Sequence, residues 1–384
     1  MKNPVIFILD ATNTFTPSRG GAPAIIYHHC CMEARSGAWS PHVIARRASV
    51  PLFGGTSVIF VDPPGDHAAP ALVLAMRAER KLLGYRRMGH RLYVDRVIRA
   101  LRTGGFQCAP KITSGDPELA VCLARAFPAA PVLLWFHTSQ DCKPRFQRAL
   151  PRSAVRCVAV SEFTSRANEA YFSLPAGAVT TVYNAVDTAH FASPPVPPNG
   201  PPVLNYHGRL GHDKGTDLLL SAAHILAKKG LRFGIQLIGS NHPDGLIIDE
   251  YQRGLFSQGR ELESLGIEVR RPGHLGREEL PGEVRKAHIH VCTSRWDEPF
   301  GMATLEGMAC GLATVASNTG GTPEVVGDAG FLFERGNVEQ LAGHLERLIL
   351  DEGLRREYAA KARQRAEQFT WAKTWAGVRD VITG

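Results

Sequence analysis

Two doubly wound, Rossmann-like parallel α/β domains facing each other across a cleft are predicted for this chain of 384 residues. Short β-branched runs alternate with longer amphipathic stretches in both halves, the pattern of parallel α/β architecture. The length exceeds what one ordinary core fills and suits two. Between the halves, Ser193 to Pro202 carries six prolines in ten residues, which neither a helix nor an interior strand accepts. The first domain is therefore expected over 1–192, a linker over 193–202 and the second domain over 203–369.

In the first half, strands are predicted at Val5–Leu9, His42–Ala45, Ser57–Val61, Val132–Phe136, Arg156–Val160 and Val179–Val182. Helices are predicted at Pro23–Arg35, Pro70–Leu101 with breaks, Glu118–Phe127 and Glu162–Phe172. After the linker, strand Val203–Tyr206 leads to a helix from Thr216, whose Leu219, Ala222, Ala223 and Leu226 recur at helical spacing. Strand Phe233–Ile238, helix Ile248–Leu265, strand Ile267–Arg270, helix Arg277–Ala287 and strand Ile289–Thr293 follow. Helix Gly301–Cys310 and strand Ala313–Ala316 come next, and Val338–Leu350, Glu352–Phe369 and Trp371–Ile382 read as a helical tail.

The composition, 44% hydrophobic and 21% charged, is that of a folded soluble protein. No apolar run approaches the ~18 residues of a membrane span. The apolar start, Val5 to Leu9, is too short for a signal peptide, so a cytoplasmic protein is expected. Eight scattered cysteines without a C-x-x-C pair are expected to be buried free thiols. Four consecutive residues on a helix cannot converge on one ion, which argues against a metal at His28-His29-Cys30-Cys31. The net charge of +8 raises nucleic acid and anionic surfaces as partners. No aromatic-studded basic platform supports the former.

Chemistry concentrates in Trp296-Asp-Glu-Pro-Phe-Gly-Met-Ala-Thr-Leu-Glu-Gly-Met-Ala-Cys-Gly311. A strand ending at Ser294 and a glycine turn would place helix N-terminal amides at the carboxyl edge of a sheet, where open α/β sheets bind ligands. The amides of Gly301, Met302, Thr304 and Leu305 would suit a diphosphate. Glu298 and Glu306 flank that helix start. A carboxylate there can accept ribose hydroxyls, the alternative being surface acids favoured near a helix N-terminus. Gly208-Arg209-Leu-Gly-His-Asp-Lys214-Gly215 follows the second domain's first strand and offers two cations, the alternative being a solvated loop. No D-x-D pair occurs, so metal-independent chemistry is expected.

Gly-Arg-Leu-x4-Lys-Gly, followed by Glu-Pro-Phe-Gly-x4-Glu-x-Met-Ala-x-Gly, resembles the retaining family 4 glycosyltransferases with the GT-B fold. Arg19-Gly20-Gly21, His137, Val160-Ser161, Tyr183-Asn184-Ala-Val-Asp187 and Gly320-Gly321-Thr-Pro-Glu324 extend that resemblance over about 300 residues, although Ala185 stands where the family usually has glycine. The resemblance implies an acceptor-binding first domain, a donor-binding second domain and a C-terminal helix, 370–384, crossing back to the first. It implies that Arg209 and Lys214 hold the diphosphate, Glu306 the ribose and Glu298 the transferred sugar. Gly21 would admit phosphate or sugar close to the backbone, Ser294 would complete the phosphate pocket and His137 would position sugar or acceptor. The implied reaction moves a sugar from a nucleotide-diphosphate sugar, UDP ahead of GDP, to a hydroxyl acceptor with retention of configuration. The context would be bacterial surface glycan synthesis. An epimerase, a phosphorylase or a non-catalytic nucleotide-sugar-binding relative is the alternative.

Between Arg77 and Arg102 stand nine basic residues against two acids. Val94, Val97, Ile98 and Leu101 form one stripe there, with Arg91, Arg99 and Arg102 opposite. Either a core helix with a solvated basic face or a patch docking on anionic lipid near a lipid-linked acceptor is expected.

Overall fold

A computed structural model describes residues 2–11, 13–17, 21–63, 87–106, 110–139, 142–194, 200–241 and 248–384, with the side chains of 87–89 excepted. The chain divides into two compact units. One comprises Met1–Val160, Thr164–Val182 and Trp371–Gly384, and the other Ser161–Phe163 and Tyr183–Thr370.

The first unit holds seven parallel strands: β1 (Asn3–Ile8), β2 (Trp39–Ala45), β3 (Ser57–Phe60), β4 (Lys111–Ser114), β5 (Val132–Phe136), β6 (Val155–Ala159) and β7 (Val179–Thr181). Their order is β3-β2-β1-β4-β5-β6-β7. Val5–Ile8 and all of β5 are buried, as continuous apolar runs in a sheet covered on both faces must be. Helices α1 (Ala22–Arg35), α2 (Arg87–Thr103), α3 (Pro117–Ala126), α4 (Pro144–Ala149) and α5 (Glu162–Phe172) accompany it. Asp116 caps α3 by accepting the amides of Glu118 at 2.8 Å and Leu119 at 3.2 Å.

The second unit holds six parallel strands: β8 (Val203–His207), β9 (Gly234–Ile238), β10 (Glu268–Gly273), β11 (Ile289–Cys292), β12 (Ala313–Ser317) and β13 (Phe331–Phe333). Their order is β10-β9-β8-β11-β12-β13. Around it lie α6 (Thr216–Lys228), α7 (Glu250–Ser264), α8 (Leu280–Val284), α9 (Met302–Ala309), α10 (Thr322–Val326), α11 (Val338–Leu350) and α12 (Glu352–Ala366). Leu219, Ala222, Ala223 and Leu226 of α6 are fully buried. The predicted helix Arg277–Ala287 shrinks to the five residues of α8, and Arg277 stands outside it. Pro281 lies at its start, where proline's missing N–H costs nothing. Strands β4 and β13 and helices α4 and α10 were not predicted.

Residues 183–192 belong to the second unit, although the proline run placed them in the first domain. Val186 donates to the Phe369 carbonyl at 3.3 Å and Phe191 is fully buried there. The proline run marks where the chain can form neither helix nor ladder. It does not mark where its packing partner changes.

The last helix, α13 (Trp371–Thr383), belongs to the first unit. Trp375 meets Trp39 edge-on at 5.6 Å and Trp371 stacks on His29 at 4.5 Å. Arg156 donates to the Val381 carbonyl at 2.9 Å. His28 likewise stacks on Phe53 at 4.3 Å, so the His28–Cys31 run is packed into the first unit. Seven cysteines are described and all are free. Cys30, Cys31, Cys157 and Cys310 are buried, but Cys122, Cys142 and Cys292 are only partly so, a correction to uniform burial.

Candidate functional site

A parallel sheet opens a crevice where its strand order reverses, outside the carboxyl ends of the strands. In the second unit that point lies between β8 and β11, which pair through Ile289–Leu204 and His290–Asn205. The two loops leaving it carry Arg209 and Lys214 on one side, and Ser294, Glu298 and α9 on the other. Sequence neighbours some 80 residues apart thereby become one site.

Lys214 Nζ lies 2.7 Å from Glu298 Oε1, both side chains largely sheltered, and 4.9 Å from the centre of the Trp296 ring. Arg209 is half-exposed, held by Asp213 at 2.5 Å and by Asn241 at 3.3 Å. Ser294 donates to the backbone, with the Trp296 carbonyl at 3.1 Å and that of Asp213 at 3.4 Å. Its hydroxyl ties the two loops together, while its lone pairs stay available. Arg295 adds a two-pronged pair with Asp217, at 2.5 and 2.6 Å. It is the missed residue that fixes one loop to the start of α6.

Gly301 takes φ 103°, a left-handed conformation that opens α9. The first-turn amides of Met302, Ala303 and Thr304 have no acceptor within the helix. Leu305 differs from expectation: its N–H is bonded to the Gly301 carbonyl at 3.0 Å and its side chain is fully buried. It therefore has no amide to give. Gly320, at φ 55°, is pressed so closely on the Glu298 backbone that a Cβ would overlap the carbonyl oxygen. Gly321 donates to that carbonyl at 2.7 Å. The Gly320-Gly321 pair is thus what lets the loop carrying Glu298 sit against its neighbour.

Glu306 is buried. Its Oε1 lies 2.9 Å from Arg277 and its Oε2 3.3 Å from His207. Burial alone would raise its pKa, but Arg277 and His207 outweigh it and hold the carboxyl below its usual range. Both oxygens are engaged inside the protein, so the carboxylate expected to meet a ribose is held in place by two partners. Arg277 and His207 escaped the sequence reading because nothing in the local pattern of either pairs it with position 306. Behind them Asn205 Nδ2 lies 3.0 Å from His207 and 3.2 Å from His290, and Asn205 Oδ1 accepts from Gln236 Nε2 at 3.0 Å. Burial, then the neighbouring His207, push the His290 pKa well down, so it is neutral.

The first unit reverses order between β1 and β4. Beside that point His137 Nε2 lies 3.3 Å from the Tyr27 hydroxyl, and Trp135 stacks on its ring at 5.1 Å. Burial lowers the His137 pKa to about 3, opposed only by Asp10. The ring is therefore neutral at pH 7. Gly21 precedes α1 with an ordinary extended φ of −70°, so left-handed geometry is not why glycine stands there. A Cβ would instead lie 2.9 Å from Asn13 Oδ1, and Asn13 in turn donates to Asp10 at 2.7 Å. Arg19 and Gly20 lie outside the described residues. The acids of this edge were missed: Asp116, and Glu118 paired with Lys143 at 2.9 Å.

Residues 189–365, all within the second unit, match the family model described as glycosyl transferases group 1. Over those residues the second unit is similar to the group 1 glycosyl transferases. Among curated relatives, the chain is 34% identical over 183 residues to alpha-maltose-1-phosphate synthase of Mycolicibacterium smegmatis, covering 44% of this chain and 45% of that protein. It spans less than half the length of the curated relatives it matches. A glycosyltransferase structure from Rickettsia africae aligns over 100% of this chain and 98% of its own, with TM-score 0.75 and 16% identity. The Anabaena protein Alr3699/HepE, solved with UDP and glucose, aligns over 99% of both chains with TM-score 0.70 and 18% identity. These likenesses establish the GT-B fold.

Proposed function

We propose that the protein transfers a sugar from a nucleotide-diphosphate sugar to a hydroxyl acceptor with retention of anomeric configuration. The observation that carries this is the meeting of Lys214, Glu298 and the first-turn amides of α9 at the β8/β11 switch point. A diphosphate seated there would face a lysine, a half-exposed arginine and a helix N-terminus, which stabilise a leaving anion without a metal ion. Glu298, already hydrogen-bonded to Lys214, would be turned to sugar hydroxyls as the lysine moves to phosphate. Glu306, fixed by Arg277 and His207, would present an ordered carboxylate to the ribose. The leaving phosphate would take the acceptor proton on the face it departs from.

The Anabaena structure containing UDP and glucose supports a UDP-sugar ahead of a GDP-sugar. The first unit is proposed to bind the acceptor, with neutral His137 as a hydrogen-bonding group for sugar or acceptor. A surface glycan, its acceptor lipid-linked, is the proposed context, with attachment to anionic membrane through the basic segment. Of that segment, residues 77–86 lie outside the described residues. On α2, Val94, Val97 and Leu101 are buried while Arg91, Arg99 and Arg102 are exposed. Among the described residues no helix is long and apolar enough to cross a membrane.

Incubation with UDP-, GDP-, ADP- and TDP-sugars, reading nucleoside diphosphate release with and without EDTA, tests the reading. Release that resists EDTA and yields an α- or β-linkage matching the donor is expected. Donor converted to an isomeric sugar nucleotide, or activity abolished by EDTA, would overturn it.

A further inference from the structure

A surface pocket of about 490 Å³ lies on the first unit, and none of the residues assigned above lines it. Among the described residues its lining includes Arg125, Arg145, Arg148, Arg152 and Ser153, and no acidic residue. Arg125 ends α3, which leads into the start of β5; Arg148 ends α4, and Arg152 and Ser153 lead into the start of β6. The pocket therefore sits at the amino edge of the sheet, opposite the carboxyl edge where β1 and β4 diverge. All four arginines are exposed, and among the described residues none makes an ion pair.

Arginines at helix C-termini are favoured by the helix dipole, and this accounts for Arg125, Arg148 and Arg152 one at a time. It does not account for Arg145, in the first turn of α4, where the dipole opposes a cation and where no acid stands. Nor does it account for four guanidiniums converging on one concavity with no ion-paired acid among the described residues. Guanidinium forks match phosphate oxygens two at a time, and several around one hollow select a multiply charged anion. Arg145 also lies 4.6 Å over the Phe146 ring, which restricts its side chain.

We propose that this pocket binds a phosphate-bearing anion, separately from the donor site of the second unit. The phosphate would belong to a soluble phosphorylated molecule or to a lipid headgroup, and the two arms of the test tell these apart. In the first, pyrophosphate is titrated calorimetrically into the full chain carrying R209A and K214A, which removes the two cations proposed to hold the donor's diphosphate. In the second, the unaltered chain is sedimented with vesicles containing phosphatidylglycerol or phosphatidylcholine alone. Each is repeated with R125Q/R145Q/R148Q/R152Q, and with K228Q/R232Q/R253Q/R260Q, which removes as many exposed cations from the second unit.

The pocket variant should weaken binding at least tenfold in one arm, since a single charge-assisted contact is worth roughly that factor. The control should change it less than about twofold, and binding should fade with salt. Replacing the same four residues by lysine, which keeps charge and loses the fork, should give an intermediate loss and guards against misfolding. Equal losses in pocket and control variants overturn the proposal. So does absent pyrophosphate binding together with vesicle binding that survives the pocket variant.

Discussion

Removing Arg277 tests whether Glu306 is held as the structure shows. The side chains are only 15% and 7% exposed and 2.9 Å apart, so Arg277→Ala leaves a buried carboxylate with one remaining partner, His207. Removing one member of such a pair costs about 3–5 kcal/mol, and the surviving histidine puts the loss near about 3. For a unit of this size that corresponds to a Tm lower by roughly 6–12 °C. The sign with pH follows from the wild-type shift. Glu306 titrates below its unfolded value, so its stabilisation is present above the ordinary carboxylate pKa and is lost as pH falls through the lowered one. In the variant burial dominates and raises that pKa, so the penalty is largest at neutral pH and shrinks once the carboxyl is protonated. Chemical denaturation from pH 7 to pH 4 should show the two proteins converging. Adding Glu306→Gln should restore part of the loss, by about 1–3 kcal/mol of coupling. A Tm unchanged within about 2 °C, or a deficit independent of pH, would refute the reasoning.

Lys214→Ala should lower turnover by about two to three orders of magnitude. Steady-state kinetics with and without EDTA checks this, and activity kept by the variant but lost to EDTA would remove the metal-free clamp. Glu306→Gln should weaken calorimetric binding of the bare nucleoside diphosphate, whereas Glu298→Gln should spare it and lower turnover. Equal losses would end that division of roles. Gly320→Ala forces a side chain onto the Glu298 carbonyl at a positive φ, and should cost more than about 1–3 kcal/mol together with nucleotide affinity. His137, neutral down to about pH 3, destabilises the fold as pH falls from 6.5 toward that value because the unfolded chain binds the proton first. His137→Asn should flatten the acid limb of urea-midpoint curves, and an unchanged limb would show that the ring is not buried neutral.

Strands β1, β5 and β6 and helices α1, α6 and α11 were legible because long apolar periodicities report burial locally. Strand β4, Lys-Ile-Thr-Ser, was not, since four residues with two hydroxyls carry no periodic signal and are made a strand by β1 and β5 on either side. The motifs around Arg209, Lys214, Glu298 and Glu306 were equally legible, because glycines and charges in fixed spacing survive as text. What the spacing could not carry was which charge meets which.

The sequence by itself determined two parallel α/β halves, the loops bearing cations and acids, and the helix start beside them, because each depends on residues close along the chain. Tertiary structure alone decided that Lys214 pairs with Glu298, that Arg277 and His207 hold Glu306, and that the amide of Leu305 is spent. It decided too that His137 is neutral and that four arginines share one hollow. Such facts depend on distance and burial between segments tens of residues apart. Charge and proton affinity are set by those neighbours and not by the order of residues in the chain.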